Sequence, residues 1–243
     1  MTRKRADIVL VERGLFASRA RAQAAIAAGL VTADGAVLRK PSDEIPPDAT
    51  LRAEPAHPWV SRGGLKLVAA LDRFGFDPAG RVCLDVGAST GGFTDVLLAR
   101  GARRVYAVDV GREQLHTRLR ENPAVISLEQ TDIRKLDPAQ LAERPDFVTI
   151  DVSFISLKLV LPALDRLVPP PAQLIALLKP QFEAGRKHSK KGVVRDAAVQ
   201  TAVCDDISAF AASLGWNVAD VFASPIEGGA GNREFLLGAS RTA

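Results

Sequence analysis

Seven short apolar runs follow one another after Arg81: VCLDVG, RVYAVDVG, AVISLEQTDI, DFVTIDVS, LIALLKP, VADVFAS and EFLLGAS. Most are separated by spacers of helical length, the pattern of a parallel sheet with helices on both faces. The last spacing differs. Only PIEGGAGNR stands between VADVFAS and EFLLGAS, and a parallel crossover needs about a dozen residues or more, so the final strand is expected to run antiparallel. The predicted class is α/β, a Rossmann-like doubly wound sheet of seven strands with its last strand reversed, over residues 63–243.

Such a sheet binds ligands beyond the carboxyl ends of its strands, so the residues at those ends carry the functional reading. The first run closes in a glycine-rich turn, Asp85, Gly87, Ala88, Ser89, Thr90, Gly91, Gly92 and Phe93. Glycine there is expected to let a ligand approach the backbone. Asp109 ends the second run 24 residues after Asp85, the interval for a carboxylate that accepts both ribose hydroxyls. Asp132 ends the third, suited to an adenine amino group or a neighbouring ring edge. A glycine-rich turn alone also fits a nicotinamide enzyme or plain packing. DVGASTGG departs from GxGxxG, however, and comes with two placed acids, which favours S-adenosylmethionine as the ligand. A reversed last strand on a parallel sheet is also the pattern of the S-adenosylmethionine-dependent methyltransferase fold.

Four further charged residues stand at strand ends or beside this turn: Lys66 in SRGGLKL, Asp151 in TIDVSFISL, Lys179 in ALLKPQFE and Glu234 in GNREFLL. An antiparallel strand presents its beginning at the edge where parallel strands end, so Glu234 joins the other three. A ribose 2′-hydroxyl is a weak acid, and a lysine held by its neighbours suits the removal of its proton.

The first quarter of the chain reads differently. Ala6–Leu15 fits a short helix with Asp7 as its cap. Ser18 caps a second, alanine-rich helix that Gly29 terminates, and Asp34-Gly35 marks a hairpin. Residues 1–66 hold 11 Lys or Arg against 7 Asp or Glu, while the rest of the chain is balanced, so the net charge of +4 is local to this end. A local basic excess marks a candidate nucleic-acid face, here Arg5, Arg13, Arg19, Arg21 and Lys40, with Arg62 next to the larger unit. Five prolines between Pro41 and Pro58 stop any helix and predict a stiff boundary. The expected division is a small α+β domain over 1–56, a linker over 57–62 and the large domain over 63–243.

Other classes are excluded by what the chain lacks. Its longest uncharged stretch is 13 residues, Ile207 to Ala219, whereas a membrane-spanning helix needs about 20. The start, MTRKRADIVLVERG, has acids within its short apolar stretch and reads as no secretory signal, so a cytoplasmic protein is expected. Cys83 and Cys204 lie in apolar segments as expected buried thiols, and His57, His116 and His188 are too scattered for a metal site. The basic segment RKHSKKG, residues 186–192, fits either a lid that meets RNA phosphate or a solvated loop.

SRARAQAAIAAGLVTADGAVLRKPSDEI, residues 18–45, resembles the S4 RNA-binding domain. The tetrad of Lys66, Asp151, Lys179 and Glu234 is similar to that of FtsJ-like ribose 2′-O-methyltransferases. With SRGGLKL, LDVGASTGGFT, TIDVSFISL, LLKPQFE, KGVVRD and GNREFLL in order, the whole chain resembles the TlyA family. That family modifies cytidine in bacterial ribosomal RNA and carries an older haemolysin label. The resemblance implies that the tetrad surrounds the target ribose, with Lys179 as base and Asp151 orienting it, and that ribosomal RNA or ribosomal subunits are the partner. It implies no metal and no membrane, and leaves oligomeric state open. A chain ending six residues after Leu237 is expected, within the family, to favour a large-subunit cytidine. The alternatives are a membrane-active haemolysin and an RNA-binding protein with an inactive methyltransferase domain.

Overall fold

In a computed structural model that describes residues 3–185, 192–228 and 231–242, the chain begins with β1 (Lys4–Arg5), α1 (Ala6–Glu12) and α2 (Arg19–Ala27). Four short strands follow: β2 (Val31–Ala33), β3 (Ala36–Val37), β4 (Glu44–Ile45) and β5 (Leu51–Ala53). Ser18 caps α2 by accepting the Arg21 backbone N–H at 3.4 Å. Asp34 and Gly35, with φ of 49° and 82°, make the β2–β3 turn, as a hairpin with two left-handed residues requires. Leu10, Ile26, Val31 and Ile45 pack into one core between helices and strands.

Asp7 is a correction to the sequence reading. The cap position of α1 belongs to Arg5, whose side chain makes no capping bond. The Asp7 side chain is instead fully buried, and it accepts hydrogen bonds from Arg5 Nε at 3.0 Å, Arg19 Nη2 at 2.8 Å and Gln23 Nε2 at 2.7 Å. The Arg5 guanidinium foremost, with Arg19 and Gln23, holds the Asp7 carboxyl well below the usual carboxylate range. A buried carboxylate needs such partners, since burying a charge unpaired is costly. The same motif draws two predicted RNA-contacting arginines into the fold of the small unit.

The chain divides into compact units Met1–Pro58 and Trp59–Ala243. Of the residues read as linker, His57 and Pro58 go with the first unit and Trp59–Arg62 with the second. The basic segment 186–191, read as lid or solvated loop, lies outside the described residues.

In the larger unit α3 (Gly63–Phe74) leads into β6 (Val82–Val86), α4 (Gly92–Ala99), β7 (Arg104–Val108), α5 (Thr117–Arg120) and β8 (Val125–Leu128). Then come β9 (Phe147–Ile150), α6 (Leu157–Val160), α7 (Leu164–Leu167), β10 (Ala172–Leu178), α8 (Pro180–Glu183), α9 (Ala197–Ser213), β11 (Asn217–Ala223) and β12 (Phe235–Arg241). The seven strands lie in the order β11-β12-β10-β9-β6-β7-β8. β12 is antiparallel to both of its neighbours, while the β10–β9, β9–β6, β6–β7 and β7–β8 pairs are parallel. Alternate strand residues face opposite layers. Leu84, Tyr106, Val148 and Leu174 pack towards Leu161, Ile207 and Trp216, and Cys83, Val105, Phe147 and Ile175 pack towards Leu67, Leu71, Val96 and Leu97.

One spacer departs from the helical expectation. Between β8 and β9 the chain makes only two single 3-10 turns, Ile133–Lys135 and Pro138–Gln140. Asp132 and Asp137 cap these turns through Arg134 N and Ala139 N, and Pro138 has no N–H to extend a helix from the turn before it. Both cysteines are free and buried. Burial pushes the Cys204 thiol up to about 11 and raises Cys83 further, which leaves both as unreactive thiols.

Candidate active site

Asp109, Asp151 and Lys179 each follow the last residue of a parallel strand, and Glu234 precedes the first residue of β12. Parallel strands end at one edge of the sheet and the antiparallel β12 begins there, so these four residues lie along that edge. Two ion pairs form there. Lys179 Nζ meets Asp151 Oδ1 at 2.6 Å and donates to Ser153 Oγ at 2.9 Å. Lys66 Nζ, from the first turns of α3, donates to Glu234 Oε2 at 2.5 Å, and both of these residues are buried.

The pairs border a cleft in two adjoining parts. The larger, about 1070 Å³, is lined by Gly87, Ser89, Asp109, Asp132, Asp151 and Ser153 among others. The smaller, about 300 Å³, has Arg62, Lys66 and Lys179 in its wall with Ala88, Thr90, Gly92 and Phe93 of the glycine-rich turn. Gly87, Ser89, Asp151 and Ser153 border both, so a molecule in one part lies next to a molecule in the other. Glu234 lines neither part and reaches the smaller one through Lys66.

The turn's predicted residues divide in an instructive way. Asp109 accepts Ser89 N–H on one oxygen and Gly111 N–H on the other, both at 2.7 Å, which fixes the carboxylate plane at the cleft wall. Asp132 lines the same wall but is engaged by Arg134 at 2.6 Å, and that guanidinium holds its carboxyl below the usual range. Gly91 lines neither part of the cleft. Its φ is 94° and a side chain there would enter Leu119. Gly87, at φ 82°, has no room because the Asp151 main-chain carbonyl lies where its Cβ would be. Glycine at these two positions is required by the backbone turn and by the close approach of neighbouring segments, and Gly87 in addition borders both parts of the cleft.

Asp85, predicted to touch the cofactor, is fully buried behind the turn. It accepts Thr94 Oγ1 at 2.6 Å and Thr149 Oγ1 at 2.8 Å. Burial pushes its carboxyl up to about 6 against the opposing pull of those hydroxyls. A raised carboxyl stabilises the fold in its protonated form. That stabilisation is full below the ordinary value near 4 and is lost as pH rises through about 6, on the order of 3 kcal/mol in all. Asp85→Asn is expected to remove this slope and to gain stability relative to the parent above pH 6. Urea unfolding of both proteins from pH 4 to 8 checks it, and parallel profiles would show that Asp85 ionises alike in both states.

Several residues of the cleft escaped the sequence reading. Ser153 follows Asp151 by two positions and bonds Lys179. Phe154 is 90% exposed with φ at 64°, a strained conformation for an aromatic residue, and its ring lies 5.1 Å from that of Phe182. Gln181 also lines the larger part, with a buried Oε1 that has no hydrogen-bond partner among the described residues. The segment before α3 is fastened to α4, whose first turn follows the glycine-rich turn: Val60 N donates to Asp95 Oδ2 at 2.9 Å, and Asp95 is paired with Arg118.

Among the predicted RNA contacts, Arg5 and Arg19 are tied to Asp7 while half-exposed. Arg13 donates to the Ala49 carbonyl at 2.5 Å. Arg21 is half-buried on α2, Lys40 is exposed close to Asp43, and Arg62 is exposed beside the smaller cleft.

The family model of FtsJ-like methyltransferases matches residues 59–241, and that of the S4 domain matches residues 4–51. The 16S/23S rRNA (cytidine-2′-O)-methyltransferase TlyA of Mycobacterium tuberculosis is 45% identical over 238 residues, 97% of this chain and 89% of that protein. The 23S rRNA (cytidine-2′-O)-methyltransferase TlyA of Campylobacter jejuni is 40% identical over 180 residues, 73% of this chain and 69% of that protein. A solved structure from Streptococcus thermophilus that carries a hemolysin name has a TM-score of 0.78 at 43% identity, covering 100% of this chain and 90% of that one.

Proposed function

We propose, for a chain that belongs to the FtsJ-like methyltransferase family and carries an S4 domain ahead of it, that it methylates the 2′-hydroxyl of a cytidine in ribosomal RNA. The observation that carries this reading is the meeting of the Lys179–Asp151 and Lys66–Glu234 pairs beside a two-part cleft. A methyltransferase needs two adjoining sites, one for donor and one for acceptor, with a proton acceptor between them.

The residues of the larger part fit S-adenosylmethionine. Asp109 presents a fixed carboxylate for ribose hydroxyls, Asp132 borders the same space, and Gln181 offers an unpartnered buried oxygen. When bound, S-adenosylmethionine supplies a methyl carbon made electrophilic by a sulfonium. Lys179, in the wall of the smaller part, accepts the proton of the target hydroxyl, and Asp151 holds the resulting ammonium. Lys66, which lines the same part and is paired with Glu234, offers the acceptor a second ammonium without adding a net buried charge.

Ribose methylation mapped by mass spectrometry tests the reading. Purified protein with S-adenosylmethionine is expected to add one 2′-O-methyl group per target cytidine to ribosomal RNA from cells lacking the gene. An unmethylated product at long incubation would count against it. The hemolysin-named relatives suggest a membrane role, but among the described residues no helix is long and apolar enough to cross a membrane.

The small unit then supplies RNA affinity through phosphate contacts. Arg21→Ala is expected to lower the salt slope of RNA binding by about one. Arg19→Ala is expected to act through the fold, costing the small unit about 1–2 kcal/mol because the buried Asp7 loses one of three donors, two of them half-exposed arginines. Salt-dependent binding and thermal unfolding of the two variants separate these roles. An Arg19→Ala protein of unchanged stability with a reduced slope would make Arg19 a phosphate contact.

A further inference from the structure

A lysine amine can act as a base only if its lone pair points at the proton it removes. Lys179 Nζ has three directions besides its bond to Cε. Asp151 Oδ1 takes one at 2.6 Å and Ser153 Oγ takes a second at 2.9 Å. One direction remains. The aliphatic stem is buried, which limits rotation about the side-chain bonds, and the amine borders the smaller part of the cleft.

Ser153 is well placed to set this direction. It borders both parts of the cleft, and it lies between Asp151, which follows β9, and Phe154, whose left-handed φ of 64° turns the chain. A strained residue next to a polar contact in a cleft is where backbone energy is commonly spent on positioning. We infer that Ser153 is a positioning residue that, together with Asp151, aims the free valence of Lys179 Nζ at the 2′-hydroxyl of the acceptor. The inference rests on the methyltransferase reading above. In the step it serves, the Lys179 ammonium has first released one proton to solvent; the O–H bond of the acceptor then breaks and its proton passes to the lone pair so freed. The bonding electrons stay on the 2′-oxygen, where they form the O–C bond to the donor's methyl group as the S–CH3 bond breaks with its electron pair going to sulfur, S-adenosylhomocysteine being the leaving group. Ser153 takes no proton. It receives an N–H before and after the transfer, and its gain is orientation.

Ser153→Ala leaves Asp151 as the sole fixed acceptor and lets the amine swing about that contact. Single-turnover methylation by the full chain at saturating S-adenosylmethionine and ribosomal RNA is expected to slow about 10–100-fold, the worth of one hydrogen bond to a charged group. KM for RNA and the calorimetric Kd for S-adenosylmethionine are expected to stay within about twofold, the signature of an interaction that matters only at the reacting centre. Ser153→Thr, which keeps the oxygen, is expected to restore the rate to within about threefold of the parent. A Ser153→Ala rate equal to the parent's would overturn the inference. So would a loss of donor affinity that matched the loss of rate, or a failure of threonine to rescue. A parent protein that methylates no ribose would remove the functional reading and this inference together, whereas a parent that turns over beside an equally active Ser153→Ala protein would remove only the latter.

Discussion

Lys179→Arg is expected to lower single-turnover methylation by about 10²–10⁴-fold, the range that a positioned base contributes, while leaving the affinities for donor and RNA close to those of the parent. Arginine keeps the positive charge and can still pair with Asp151, but a guanidinium is effectively never deprotonated and cannot accept a proton. The substitution therefore separates two roles that alanine would remove together. Lys179→Ala is expected to fail to a similar degree. Asp151→Asn is expected to lose most of the activity as well, because the ion pair at 2.6 Å fixes one of the amine's three directions and favours the ammonium formed on proton transfer. Rates measured across a pH series at saturating donor and ribosomal RNA decide the matter. An arginine enzyme with the parent's rate and pH profile would mean that the residue at 179 supplies charge alone and that the proton leaves to water.

The part of this site that could be read in the sequence is the part set by strand ends. Asp109, Asp151 and Lys179 close apolar runs, and a parallel sheet aligns the ends of its strands, so their convergence follows from periodicity and connection length. The reversal of β12 was legible for the same reason, since PIEGGAGNR is too short to cross the sheet. What pairs with what was not legible. Lys66 and Glu234 are 168 positions apart, and nothing local to either names the other. The reasons for particular residues were also hidden where they depended on packing across the fold. Gly87 is confined by the Asp151 carbonyl and Gly91 by Leu119. Asp7, at the start of a helix, has the residue type of a cap but is drawn inward by two arginines and Gln23. Ser153 and Phe154 left no periodic or spacing signal, because they lie in a turn whose shape is fixed by backbone dihedrals.

Asp109→Ala is expected to weaken S-adenosylmethionine binding by about 10²–10⁴-fold. Each of two ribose hydroxyls donating to a carboxylate is worth about 1.5–3 kcal/mol, and a factor of ten in affinity is about 1.4 kcal/mol. The loss is sharpened by the carboxylate's second task. Its two oxygens each hold a backbone N–H, Ser89 on one side and Gly111 on the other, at 2.7 Å, so they arrive at the cleft already oriented and lose little freedom when a ligand binds. Removing them releases the Ser89 end of the glycine-rich turn, where φ is 48°, and the cleft loses shape as well as an acceptor. Asp109→Asn separates the two contributions. It keeps one oxygen acceptor for one backbone N–H but sets its NH2 against the other, of Ser89 or Gly111, so part of the anchoring is lost and its affinity is expected to fall between parent and alanine. Calorimetry with S-adenosylmethionine, with NAD as the competing ligand class, measures both. Heat from NAD but none from S-adenosylmethionine in the parent would contradict the assignment of the larger cleft, and an unchanged Kd in Asp109→Ala would remove Asp109 from it.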